Sequence, residues 1–227
     1  MMPLGDDDSA RRTLPVVTYV LIAINVLVFV LLELPNPNLD EFINRWGTVP
    51  AEIMAGRGLL TLLTSMFLHG GWAHLGGNML FLWIFGDNVE DAFGHVLYLI
   101  FYLVTGLAAS MAQVLLDPSS TVPGVGASGA ISGVLAGYIV MFGSNRVRVL
   151  MGGVLTTVPA YVMIGLWIVV QFLNGFASIA NTAQTDGVAY GAHVGGFIAG
   201  LVLTFLLRGF TRQQGIGTVR SGRSQLR

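Results

Sequence analysis

An all-α polytopic membrane protein, folded as a bundle of six transmembrane helices, is the fold class that this 227-residue sequence predicts. Three observations carry the expectation. Hydrophobic residues make up 54% of the chain and charged residues only 10%, against the ~25% charged share of an average soluble domain. Apolar runs recur at lengths near the roughly 20 residues that a helix needs to cross a hydrocarbon core ~30 Å thick. Thirty glycines supply the small side chains that let membrane helices approach closely where no hydrophobic effect drives them together.

The first run, Leu14 to Leu32, holds nineteen residues without a charge. Arg11 and Arg12 precede it, but no small-residue cleavage site follows and further spans do, which favours a span over a removed signal. Residues 33 to 57 carry Glu33, the turn-rich Pro35-Asn36-Pro37-Asn38 and several charges, and read as a polar, partly amphipathic loop. A second helix is expected from Trp72 to about Asp91 and a third from Val96 to Leu116. The fourth spans about Gly124 to Phe142, the fifth about Val158 to Ser178, and the sixth Val188 to Leu207. Arg146 and Arg148 mark a short connection, and a polar loop surrounds Asp186. The chain thus divides into an N-terminal segment 1–13, a membrane domain 14–207 and a basic tail 208–227.

Six spans put both termini on one side. Placing them in the cytoplasm leaves nine arginines inside and two, Arg45 and Arg57, outside, as the positive-inside rule requires. Cysteine is absent, so neither a disulfide nor a thiolate metal site can be built. The expected surroundings are the lipid bilayer, with no nucleic-acid partner and no cofactor.

Ionisable side chains inside a span are costly and usually face a cavity. His74 in the second helix and His193 in the sixth are such groups, and Ser128 lies near the start of the fourth. Asn78 lies four residues after His74 and shares its helix face. At 1.5 Å rise per residue, Asn78, Ser128 and His193 lie ~9, ~6 and ~7.5 Å below the starts of their helices, at one level. A serine hydroxyl becomes a useful nucleophile only when a base within hydrogen-bond reach takes its proton, and a neutral histidine suits that role. Glycines at spacings of four, Gly129, Gly133 and Gly137 on the fourth helix and Gly196 and Gly200 on the sixth, offer smooth stripes on which the two helices can meet. Donors for a developing oxyanion are available in the Asn78 amide, a His74 ring nitrogen and the Ser128 backbone N–H at a helix start.

Other readings are weaker. Ser65, Ser110 and Ser132 read as packing serines bonded to backbone, and His95 as an interfacial residue. His69 and His74 lack a His-Glu-x-x-His pattern and nearby carboxylates, which speaks against a metal site. Asp87 falls near the inner boundary with no second membrane aspartate, which speaks against an aspartyl centre.

Together these residues resemble the rhomboid intramembrane serine proteases of bacterial type, over roughly residues 58 to 205. Gly126-Ala127-Ser128-Gly129 is similar to the family's Gly-x-Ser-Gly segment, and Gly191-Ala192-His193-Val194-Gly195-Gly196 to its histidine segment. The resemblance implies a catalytic dyad of Ser128 and His193. His69-Gly70-Gly71-Trp72-Ala73-His74 with Asn78 implies His74 and Asn78 as oxyanion stabilisers and His69 as a structural histidine. Gly86, Glu90 and Gly94 resemble the motif closing the second helix, which implies that Glu90 holds helices together by hydrogen bonds. Gly126, Gly129, Gly133, Gly196 and Gly200 would be structural. Leu60-Thr61 stands where some members carry Trp-Arg, and Ser132 where some carry an aromatic that stacks on the base.

The resemblance also implies a six-helix core in a bacterial inner membrane, cleaving single-span membrane proteins near the outer face with a small residue before the cut. With no carboxylate at the level of the base, its orientation is expected to come from packing. A catalytically silent rhomboid-like binder of membrane helices, acting as chaperone or trafficking factor, is the alternative. A transporter would show broken helices in repeated halves or carboxylates in the spans, and neither is present.

Overall fold

The computed structural model of the chain describes residues 1–9, 11–180 and 189–210. The loop around Asp186 and most of the basic tail lie outside the described residues. The first apolar run folds as α1 (Val16–Val28) and continues as a π-helical turn, Phe29–Glu33. Its opening amides are capped from another helix, since the Glu90 carboxylate accepts the Val17 and Thr18 backbone N–H groups at 2.9 and 2.8 Å. These donors have no partner within their own helix, and a carboxylate at a helix N-terminus also complements its dipole.

The expected polar loop contains short helices α2 (Leu39–Trp46), α3 (Pro50–Met54) and α4 (Thr61–Thr64). Then come α5 (Trp72–Phe93) and α6 (His95–Leu116), separated by Gly94 alone at φ 77°, a conformation that favours glycine. The remaining long helices are α7 (Ser128–Phe142), α8 (Ala160–Ala180) and α9 (Tyr190–Leu207).

Among the described residues, three helical stretches are long and apolar enough to cross a membrane: Val16–Glu33, His95–Leu116 and Tyr190–Leu207. Helix α7, Ser128–Phe142, is shorter, and of α8 the side chains are described over Ala160–Asn174. Helix α5 carries Asp87, Glu90 and Asp91 in its last turns. With these helices, the chain is an integral membrane protein.

Two expectations need correction. The chain is mostly helical but not all-α, because Arg146 and Arg148 belong to a strand rather than a short connection. Strands β1 (Met2–Gly5), β2 (Arg146–Met151) and β3 (Val154–Pro159) form one antiparallel sheet in that order. The β2–β3 hairpin turns at Gly152 and Gly153, both at positive φ, as a two-residue hairpin loop requires. Val147 and Val149 point into the core while Arg146 and Arg148 face out, the alternation of a half-buried strand. The second correction concerns the fourth helix, which starts at Ser128 rather than near Gly124. The three site residues are therefore not at equal distances from their helix starts.

Helices α6, α7 and α9 pack so closely that several of their glycines leave no room for a Cβ. A Cβ on Gly196 would lie 2.0 Å from the Gly129 carbonyl oxygen, and one on Gly200 2.5 Å from that of Gly133. The glycines of α7 face a different neighbour. A Cβ on Gly129 would meet Ala109 at 2.6 Å, and one on Gly133 would meet Thr105 at 2.5 Å, both on α6. The helices thus meet at these glycines: α9 lays Gly196 and Gly200 on the backbone of Gly129 and Gly133, whose own open sides turn toward α6.

Candidate active site

The segment leading into α7 is pinned before the helix begins. Gly126 donates its N–H to the Ser65 carbonyl at 2.9 Å, and Thr48 pairs with Gly124 across an isolated bridge. Gly126 sits at φ 127°, a conformation side chains rarely adopt. Ser128 follows as the first residue of α7, half-buried, with its N–H among those that have no partner inside the helix.

Helix α9 brings His193 against it. His193 Nε2 stands 2.7 Å from Ser128 Oγ, and the ring is 8% exposed. Its other nitrogen, Nδ1, lies 2.9 Å from Gln171 Oε1 on α8. The Trp167 ring, one turn earlier on α8, is centred 5.8 Å from the imidazole, and the Tyr190 ring meets it edge-on at 6.3 Å. Ser132, where some family members place an aromatic, donates its hydroxyl to the Ser128 carbonyl at 2.6 Å.

Across Gly126 from Ser128 is His74. A Cβ on Gly126 would lie 2.7 Å from His74 Nε2 and 3.6 Å from Ser128 Oγ, so the two groups border one small gap. His74 Nδ1 accepts the Gly70 N–H at 3.3 Å, so in the neutral ring the proton is on Nε2 and faces that gap. Asn78, one turn further along α5, is buried with its amide nitrogen unpartnered. Buried donors are normally satisfied, and a spare one here can serve a transient acceptor.

The residues around the site are held from several elements. His69 is buried, its backbone N–H reaching the Glu33 carboxylate at 3.0 Å while its ring meets that of His74 edge-on at 5.1 Å. Glu33, a loop residue by sequence, thus closes the first helix as a buried acceptor. Glu90 accepts four bonds, from Val17, from the backbone and hydroxyl of Thr18, and from His95 Nδ1 at 2.6 Å. Gly86 lets Tyr98 and Thr18 approach, for a Cβ there would lie 2.7 Å from the Tyr98 hydroxyl. Among the described residues one group of carboxylates, Asp6, Asp8 and Asp87, brings ligand atoms within 4.8 Å of one another, at the far end of α5 from His74.

Beside Ser128 lies a cavity of about 90 Å³. Its walls include Gly106, Ala109 and Ala130, with polar groups from Ser65, Ser110 and Gln113. Small walls leave space for a short side chain next to the nucleophile.

These features define an integral membrane protein with a serine hydroxyl and an imidazole bonded at the junction of α7 and α9. The chain belongs to the rhomboid family, since the model of the Rhomboid domain matches residues 56–210. It is similar to "Rhomboid protease GluP" of Bacillus subtilis (strain 168), 32% identical over 82% of this chain and 34% of that protein. "Rhomboid-like protein 11, chloroplastic" of Arabidopsis thaliana is 30% identical over 65% of this chain and 52% of its own length. "Rhomboid protein 1, mitochondrial" of Saccharomyces cerevisiae is 26% identical over 81% and 51%. The chain spans between a third and about half of the length of these relatives.

Proposed function

We propose that the chain is an intramembrane serine endopeptidase that cleaves single-span membrane proteins near the outer face of a bacterial inner membrane. Its six long helices then all span, α7 as a short crossing, with both termini cytoplasmic and Ser128 near the outer side. The small sheet fits this placement, because open sheet edges are not tolerated in hydrocarbon and β1 to β3 gather at the opposite end from Ser128. The observation that carries the reading is the 2.7 Å contact of His193 Nε2 with Ser128 Oγ, at a gap that His74 Nε2 also faces.

In this reading Ser128 Oγ attacks the scissile carbonyl while His193 Nε2 takes its proton. The carbonyl oxygen becomes an oxyanion facing His74 Nε2–H, the Asn78 amide and the Ser128 N–H. Collapse breaks the C–N bond, and the imidazolium returns the proton to the leaving amine. Water, deprotonated by His193, then hydrolyses the acyl-serine. A substrate helix must unwind to present its bond, since carbonyls within an intact helix are already hydrogen-bonded. The cavity beside Ser128 supports a small residue before the cut.

A reporter single-span protein, incubated with the purified chain in liposomes, tests this. Cleavage is expected from the wild type and not from Ser128→Ala. A fluorophosphonate probe is expected to label the wild type but not His193→Ala. A chain that binds the reporter without cleaving it, and stays unlabelled, would be the silent binder instead.

A further inference from the structure

Composition and motifs leave His193 without a third group, yet the structure supplies one. Gln171 Oε1 is 2.9 Å from His193 Nδ1. An amide oxygen can only accept, so Nδ1 must carry the ring proton. In a neutral imidazole that leaves Nε2 bare and able to accept from Ser128 Oγ, 2.7 Å away. The opposite tautomer would point a proton at the serine and could not act as its base. Trp167 is four residues before Gln171 on α8, so both lie on one face of that helix, and its ring borders the imidazole. The base is thereby clamped, with α8 on its Nδ1 side and α7 on its Nε2 side.

We propose that Gln171 is a positioning residue that fixes the tautomer and orientation of His193. The proposal rests on the serine-hydrolase reading above. Its chemistry suits a membrane, because a neutral amide oxygen costs far less to bury than an unpaired carboxylate. It holds the proton in place without adding a charge beside the base. The second consequence is mechanical: the base is correctly set only while α8 is packed against α9.

The test uses the full chain in liposomes, with the reporter protein and the fluorophosphonate probe. Gln171→Leu keeps the bulk and removes the acceptor, and kcat per labelled site is expected to fall about 10- to 100-fold with little change in KM, as for a misoriented group. Gln171→Glu restores an acceptor and adds a charge. It is expected to recover most of that loss and to move the acid limb of the pH–rate profile upward by about one unit, because a nearby carboxylate favours imidazolium. Equal kcat in wild type and Gln171→Leu, or a pH profile unmoved by Gln171→Glu, would overturn the proposal. A second readout needs no activity. With only four histidines in the chain, ¹⁵N-histidine NMR can follow His193, whose Nδ1–H signal is expected in the wild type and lost in Gln171→Leu. If the wild type neither cleaves nor labels, the hydrolase reading fails by itself, and the NMR result decides the fate of the Gln171 contact.

Discussion

A serine hydroxyl gives up its proton only to a base already in contact, and His193 Nε2 meets Ser128 Oγ at 2.7 Å. In the proposed reaction, stabilising the oxyanion falls to nearby donors. Asn78 keeps an amide nitrogen buried and unpartnered, so Asn78→Ala is expected to lower kcat by about 10²- to 10³-fold with KM little changed, as steady-state kinetics on the reporter would show. His74 is set by its other nitrogen: the Gly70 N–H occupies Nδ1 and commits Nε2–H to the gap. Ser128, His193, His74 and Asn78 are legible in the sequence because polar residues stand out in apolar runs and their flanking glycines make a pattern. Gln171 is not, since an amide in the fifth apolar run, which also carries Asn174, has no motif around it and its partner is 22 residues away. Glu33 reads as the first loop residue because it ends an apolar run, whereas the π-helical turn carries it inward to the His69 N–H.

At the scale of elements, the long helices are readable from run length to within a few residues, and the hairpin is not. Its signal is present in alternating Arg146-Val147-Arg148-Val149 and the Gly152-Gly153 pair, a strong short-range hairpin pattern. It escapes notice because lipid-sized windows average over a 14-residue hairpin. The fourth helix is expected too early for a related reason: Gly124 to Ala127 is apolar like the helix it precedes, but positive φ at Gly126 keeps it from joining. The glycine contacts give a direct prediction. Gly196→Ala puts a methyl 2.0 Å from a backbone oxygen, which no rotamer change can relieve. Such overpacking costs about 1–3 kcal/mol, and α9 must move away from α7, taking His193 off Ser128. Thermal unfolding is expected to show the lower stability, and cleavage to fall by roughly tenfold or more. Gly137→Ala is the control, because its nearest neighbours are at 3.4 Å, and it should change both measures much less.

Across the whole molecule, the N-terminal segment ties the end remote from Ser128 together. Strand β1 extends the β2–β3 hairpin, the Arg11 guanidinium pairs with Asp87, and the Asp91 carboxylate accepts the Thr13 N–H at 2.8 Å. Asp6 accepts hydrogen bonds from the Tyr138 hydroxyl and from Asn88 Nδ2 at 2.7 Å. This arm is invisible to sequence reasoning, since residues 1–9 join a short apolar stretch to three aspartates without a pattern of their own and their partners lie more than 75 positions away. Burial pushes the Asp6 carboxyl up to about 6, against the bond from Tyr138 and with help from the charge of Asp8; Asp87, itself paired with Arg11, also borders it. A raised carboxyl holds its proton more tightly when docked than when free. Its contribution to docking is therefore full below about 4 and lost as pH rises through about 6. Amide protection factors over residues 2–8 are expected to be higher at pH 5 than at pH 7.5, and Asp6→Asn to flatten that dependence.

The chain as a whole is a rhomboid-family membrane protein whose hydrolytic centre, as we propose, depends on one serine meeting one histidine between α7 and α9. The most direct measurement is cleavage of a single-span reporter by the wild type and by Ser128→Ala, reconstituted side by side in liposomes. A cut by the wild type that Ser128→Ala cannot make is the expected result. The same cut made by Ser128→Ala at an undiminished rate would contradict it.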